Sequence, residues 1–153
     1  MSAEPRPAIR VLFVCTGNSA RSQLAEALLG QIGGDDFEVR SAGTEPHGVN
    51  PFALRVLAER GIDWSGARSK SVTEFLGQPW DYVITVCDRA RQSCPIVPGE
   101  HNALHWGPED PAEVEGSDET KLAAFRMTAR DLADRIGPFV ELCRRRRRAA
   151  AAG

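Results

Sequence analysis

The chain has 153 residues, 42% hydrophobic and 26% charged, the proportions of an ordinary soluble globular protein with room for one full core. A net charge of −2 argues neither for nor against anionic partners, and no apolar run approaches the ~20 residues that span a bilayer. Residues 1–8 lack the hydrophobic segment of a secretory signal, so a cytoplasmic location is expected, where the four cysteines are candidates for catalysis, redox or metal binding rather than lasting disulfides.

Strand and helix signals alternate along the chain. Ile9–Val14 reads as a first strand. Ala25, Leu28, Leu29 and Ile32 then recur at helical spacing, and Gly33-Gly34 stops that helix. Phe37–Ala42 reads as a second strand. Asn50-Pro51 is a helix start, with Ala53, Val56 and Leu57 as the buried face and Gly61 at the end. A short helix is expected over Ser71–Leu76. Asp81–Val86 is a buried strand rich in β-branched residues, and Asn102–Trp106 a last one. Ser117, Asp118 and Glu119 open a helix whose stripe is Leu122, Phe125, Ala129, Leu132, Ile136, Phe139 and Cys143. Cys143 reads as a packed core residue. Five arginines, Arg144 to Arg148, lie close to the end of the chain. Such a run can touch nucleic acid or membrane, but nothing else suggests either partner, and a solvated terminus is expected.

This alternation predicts an α/β fold, a three-layer architecture with a four-stranded parallel sheet flanked by helices. A single catalytic domain over 1–153 is expected, with flexible tails at 1–8 and 144–153. Ligands of such sheets bind beyond the carboxyl ends of the strands. Cys15 ends the first strand and Cys87 the third, so both belong to the same edge.

Residues 11–22, VLFVCTGNSARS, carry the strongest chemical signal. A cysteine and an arginine bracket five residues at a strand-to-helix turn. Backbone N–H groups of Thr16, Gly17, Asn18, Ser19 and Ala20, with the helix N-terminus, suit a tetrahedral oxyanion. Arg21 can hold two of its oxygens through a planar fork. The same positive field lowers the pKa of Cys15 and favours a thiolate aimed at the anion's centre. A cysteine ending a strand is usually only a small hydrophobe. That reading leaves Gly17, Asn18 and Arg21 unexplained. Gly17 and Asn18 readily accept positive φ, as a loop with converging N–H groups requires.

A second constellation is VCDRARQSCP, with Cys87 and Cys94 six residues apart. Zinc, with His101 and His105, is one reading, although its sites usually show tighter cysteine pairs. Two unrelated thiols is another. A redox pair accounts for more: Cys87 reaches an oxidised Cys15, and Cys94 takes over Cys87 by thiol exchange. A general acid for the leaving oxygen is sought in HWGPEDPAEVEG, which offers Glu109, Asp110 and Glu113. Asp110 is favoured because Pro111 holds it extended.

With these residues in place, the chain resembles the thioredoxin-coupled arsenate reductases, which share the low-molecular-weight protein tyrosine phosphatase fold. CTGNSARSQLAE resembles their anion loop, VITVCDRARQSCP their redox segment and HWGPEDPA their acid loop. The resemblance runs from Val11 to about Val140. It implies Cys15 as nucleophile, Arg21 as oxyanion ligand and Ser22 as donor to the Cys15 thiolate. It implies that Asn18 holds the loop's shape, that Asp110 is the general acid, and that Cys87 and Cys94 are resolving cysteines. Arsenate becomes the substrate, with phosphate or sulfate as mimics, and thioredoxin the reductant of a monomer without cofactor.

The chain departs from its relatives at two places. Some bind potassium beside the loop through side-chain oxygens, and Glu26 and Ser41 match that pattern. Arg68 and Lys70 replace further oxygen ligands, so no metal site is expected and one of these side chains is expected to fill the space. Ala20 stands where several relatives carry another cysteine. Two rival functions are a tyrosine or small-molecule phosphatase working through a phospho-cysteine, and an oxyanion-binding redox sensor without turnover. Against the phosphatase, Ala-Glu-Val-Glu-Gly after Pro111 lacks the aromatic residues that stack on a phosphotyrosine ring.

Overall fold

In a computed structural model the protein is described over residues 7–86 and 101–152. Four parallel strands, β1 (Ile9–Cys15), β2 (Phe37–Gly43), β3 (Tyr82–Thr85) and β4 (Asn102–His105), form one sheet in the order β2-β1-β3-β4. The helices are α1 (Arg21–Gly33), α2 (Pro51–Glu59) and α3 (Asp118–Ala152). This is an α/β fold, a four-stranded parallel sheet flanked by helices. None of the described helices is long and apolar enough to cross a membrane.

The strand order reverses at β1, with β2 on one side and β3 on the other. The switch point therefore lies at the carboxyl end of β1, where Cys15 sits, and a crevice opens there in sheets of this kind. In the register, Cys15 stands beside Gly43 and Val14 beside Thr85. Val86 continues this edge by donating its N–H to the Val14 carbonyl at 3.0 Å.

Val11, Leu12, Phe13 and Val14 are fully buried, so both faces of β1 are covered, as a parallel sheet requires. On one face Phe139 of α3 meets Tyr82, Trp106 and Phe37 at ring-centroid distances of 5.0, 5.4 and 6.4 Å. On the other face the Arg10 guanidinium lies 4.3 Å from the Trp80 ring centre, and Trp80 stacks edge-on against Phe75. The predicted stripe of α3, Leu122 to Cys143, is buried at every named position. Cys143 is only 2% exposed, and burial pushes its thiol pKa up, which makes it a poor nucleophile.

Local signals act as expected at α2, where Asn50 Oδ1 accepts from the Phe52 N–H at 2.9 Å and Pro51 takes the first helical position. The helix ends at Glu59, and Gly61 serves the following turn with φ +80°. Over Ser71–Leu76 the chain forms a tighter 3-10 turn, Val72–Phe75, held by a capping box between Ser71 and Glu74. Ile32 is 38% exposed rather than part of the core.

The expectation of a flexible tail from residue 144 is corrected. Helix α3 continues to Ala152. Arg144 Nε binds Asp36 Oδ2 at 2.9 Å and its Nη2 donates to the Gly33 carbonyl at 3.0 Å. Arg147 binds Asp36 Oδ1 at 2.6 Å, and Arg146 donates to the Tyr82 hydroxyl. Asp36 lies in the turn between α1 and β2, so these arginines tie the last helix back to the first.

Hydrogen bonds from Arg147, then Arg144, hold the Asp36 carboxyl below its ordinary value of 3.8. A lowered carboxyl pKa contributes stability above the unfolded value and loses it as pH falls through the folded one. Asp36→Asn is therefore expected to lower Tm at pH 7 in low salt. The difference from wild type should shrink in 1 M salt and again below pH 3.8, as thermal scans would show.

Candidate active site

The loop between β1 and α1 is shaped from outside by its carbonyl groups. The Cys15, Thr16, Gly17 and Ser19 carbonyls accept backbone N–H groups of Thr44, Glu45, His47 and Asn50 at 3.1, 2.8, 3.1 and 2.9 Å. The Asn18 carbonyl accepts from Ser69 Oγ at 2.7 Å. Each peptide is planar and its N–H opposes the preceding C=O. Five carbonyls turned outward therefore turn the N–H groups of residues 16–20 toward the concave side. The segment behind the loop lies close, for a Cβ on Gly43 would sit 2.5 Å from the Thr16 carbonyl oxygen and 2.8 Å from the Asn18 nitrogen.

One of the two expected positive-φ positions holds, and the other is corrected. Asn18 has φ +48°, whereas Gly17 is not in the left-handed region. A Cβ on Gly17 would sit 2.1 Å from Nε2 of His47, an exposed side chain free to swing aside.

Helix α1 begins at Arg21 behind Ala20, with no side-chain cap and no acidic residue in its first turn. Its first N–H groups and positive end thus face the loop unopposed. The Cys15 sulfur lies 2.7 Å from Ser22 Oγ and 3.2 Å from the Asn18 backbone N–H. Both contacts favour the thiolate when they donate. Arg21 reaches across the pocket, its Nη1 donating to the Pro108 carbonyl at 2.9 Å and its Nη2 lying 3.5 Å from Asp110 Oδ2. Asp110 caps the 3-10 turn Pro111–Glu113 by accepting the Ala112 N–H at 3.0 Å. Cys15, Arg21 and Asp110 line one pocket of about 200 Å³, with Thr16, Ser19 and His47. Glu109 is exposed and lines no part of it, while Glu113 is among the residues that do.

Asn18, fully buried, is the hub beneath the loop. Its Nδ2 donates to Ser22 Oγ at 2.8 Å and to Ser41 Oγ at 2.9 Å. Its Oδ1 accepts from the Lys70 backbone N–H and from Gln23 Nε2. The Ser41 hydroxyl donates to Glu26 Oε1, which the Lys70 ammonium approaches to 3.3 Å. The residues here do not fit a monovalent metal cation, because Lys70 already places a positive charge on Glu26. Arg68 turns away and pairs with Glu74 at 2.7 Å.

Cys87 and Cys94 lie outside the described residues. So do the thiols that a zinc site with His101 and His105 would need. His105 Nδ1 contacts Thr85 Oγ1 at 2.7 Å on the sheet. The sequence reading missed the segment 44–50, Gly43, His47 and Gln23. Their work is backbone bonding, close approach and buried amide bonding, and only the small residue at Gly43 hints at any of it.

Residues 10–141 match the low molecular weight phosphotyrosine protein phosphatase family. An arsenate reductase of Halalkalibacterium halodurans is 44% identical over 131 residues, covering 86% of this chain and 94% of that protein. A solved structure of an arsenate reductase in the oxidized state superposes with a TM-score of 0.73 at 30% identity, over 86% of this chain and 96% of that one. A thioredoxin-dependent arsenate reductase of Corynebacterium glutamicum gives a TM-score of 0.62 at 37% identity, over 85% of this chain and 62% of that one.

Gly43→Ala tests the loop's dependence on the segment behind it. The new methyl group must displace backbone, and a misplacement of about 1 Å lowers rates on the order of 10²-fold. Weaker phosphate binding by calorimetry and a matching fall in turnover are expected.

Proposed function

This chain belongs to the low molecular weight phosphotyrosine protein phosphatase family, and we propose that it reduces arsenate to arsenite with thioredoxin as the electron donor. One observation carries the proposal: the Cys15 sulfur, with the Ser22 hydroxyl and the Asn18 N–H beside it, lines a small oxyanion pocket shared with Arg21 and Asp110. The names and similarity of the relatives support arsenate as the anion.

Arsenate enters the loop as phosphate would, held by the N–H groups of Thr16 to Ala20 and by the Arg21 fork. The Cys15 thiolate attacks arsenic and forms a sulfur–arsenic bond, and Asp110 protonates the departing oxygen. The Cys87 thiolate then attacks the Cys15 sulfur. A Cys15–Cys87 disulfide forms, the electron pair of the sulfur–arsenic bond passes to arsenic, and As(V) leaves as As(III). Cys94 attacks Cys87, which restores the Cys15 thiolate and leaves a Cys87–Cys94 disulfide. Two electrons and two protons from a thioredoxin dithiol reopen it. Val86 stands on the Cys15 edge of the sheet, one residue before Cys87 in sequence, which supports this route.

The pocket lining speaks against a tyrosine phosphatase. Ala112 and Glu113 line it, and His47 supplies the one ring among the described lining residues. A phosphotyrosine ring would find no Phe, Tyr or Trp to stack on. The loop itself still suits phosphate monoesters, so slow hydrolysis of p-nitrophenyl phosphate is expected beside arsenate reduction.

NADPH consumption with arsenate, thioredoxin and thioredoxin reductase tests the proposal. Wild type is expected to turn over repeatedly, and Cys94→Ser to lose multiple turnover while hydrolysing p-nitrophenyl phosphate as wild type does. Arsenate turnover that survives in Cys94→Ser would refute the relay. Asp110→Asn is expected to slow formation of the Cys15–arsenic adduct by about 10²–10⁴ in single-turnover measurements.

A further inference from the structure

Beneath the anion loop, on the side away from the pocket, lies a buried amide that the proposed chemistry does not use. Gln23 is 0% exposed on the first turn of α1. Its Nε2 donates to the Asn18 carbonyl at 3.1 Å, to Asn18 Oδ1 at 3.0 Å and to the Arg68 carbonyl at 3.1 Å. Its Oε1 accepts the indole N–H of Trp64 at 2.9 Å. Indole is a donor and never an acceptor, so Trp64 permits one orientation of the Gln23 amide. That orientation is the one in which the N–H groups meet Asn18. Turned over, the amide would set its oxygen against three other acceptors.

The sense of each bond passes from there to the sulfur. Asn18 Oδ1 is occupied by donors from Gln23 and Lys70, so Nδ2 must face Ser22 and Ser41. Ser22 Oγ, accepting a hydrogen bond from Asn18 Nδ2, has its own hydroxyl proton left to donate, and the Cys15 sulfur lies 2.7 Å away. Among the described residues no buried side-chain nitrogen or oxygen lacks a partner. Loss of the indole N–H would orphan Gln23 Oε1 and loosen the brace under the left-handed Asn18 turn.

We propose that Trp64 is a positioning residue of this site: its indole N–H pins the Gln23 amide, and through it the Asn18 turn that directs two donors at the Cys15 sulfur. This rests on the reading of Cys15 as the nucleophile. Trp64 is half-buried against the core and lines a hollow of about 380 Å³ with Glu26, Arg68 and Lys70, so the brace runs from the protein surface to the thiol.

Trp64→Phe removes the N–H and keeps most of the ring. The rate of Cys15 alkylation by iodoacetamide, followed by mass spectrometry of its peptide from pH 4 to 9, reads the thiolate fraction. The variant is expected to react about 3- to 10-fold more slowly at pH 6 and to reach the wild-type rate at high pH. In a Gln23→Met background the same substitution should add no further shift, because the path through Gln23 is already cut. A profile unchanged by Trp64→Phe, or a fall in Tm without a shifted profile, overturns the proposal and leaves Cys15 as nucleophile. A wild-type profile like that of a free cysteine overturns both. In the unsubstituted protein, the Trp64 indole proton is expected to shift in NMR spectra on adding inorganic phosphate. An indole resonance indifferent to phosphate overturns the proposal even if the variants fail to fold.

Discussion

The site depends on where five carbonyl groups point. An anion pocket made of backbone needs its N–H groups inward, and a free loop has no reason to choose that arrangement. Here the chain from Thr44 to Asn50, with Ser69, takes the carbonyls of residues 15–19 from behind. The inward face is then fixed before any ligand arrives, and preorganised donors need no rearrangement when charge develops on a bound oxyanion. The strand register serves this arrangement, since pairing of Cys15 with Gly43 brings the bracing segment off β2 directly alongside the loop.

Two thiols in the same fold show how environment decides reactivity. Cys143 is buried, and desolvation raises its pKa against the opposing effects of a Tyr82 hydrogen bond and the Arg146 charge. Cys15 is buried as well, but it lies at the open end of a helix beside a hydroxyl and a backbone N–H. Burial alone would make both inert. On the proposed reading, Cys15 differs through donors whose directions are set at Gln23, Glu26 and Lys70. Lys70 is notable because a side chain of the protein supplies the positive charge next to Glu26, with the charge tethered by a covalent stem.

Much of this was legible in the sequence because the signals were side chains at short spacing. The pattern from Cys15 to Arg21, the Asn50-Pro51 helix start and the stripe of α3 all rest on local chemistry. Asp110 was favoured over Glu109 by the proline that follows it, and the pocket lining separates the two in the same way. The bracing segment was not legible, since backbone hydrogen bonds leave almost no mark on residue type. Gly17 was assigned a positive φ that, of the pair, only Asn18 adopts. The arginine run was read as a loose terminus because nothing else in the chain suggested a partner for it. Its partner Asp36 lies 108 positions away from Arg144 in sequence, and no local pattern reports such a pairing.

The bond from Arg144 to the Gly33 carbonyl joins the end of the chain to the last turn of α1. Carbonyls at that end of a helix carry a partial negative charge. The far end of the same helix, about 20 Å away at 1.5 Å per residue, opens the anion loop. A guanidinium thus neutralises the tail of the dipole whose head faces the candidate loop. Under the proposed function the two ends of α1 would be held by opposite means, a fixed cation at one and a transient anion at the other. Anion binding would then complete the helix electrically and add a little to the stability of the loaded protein.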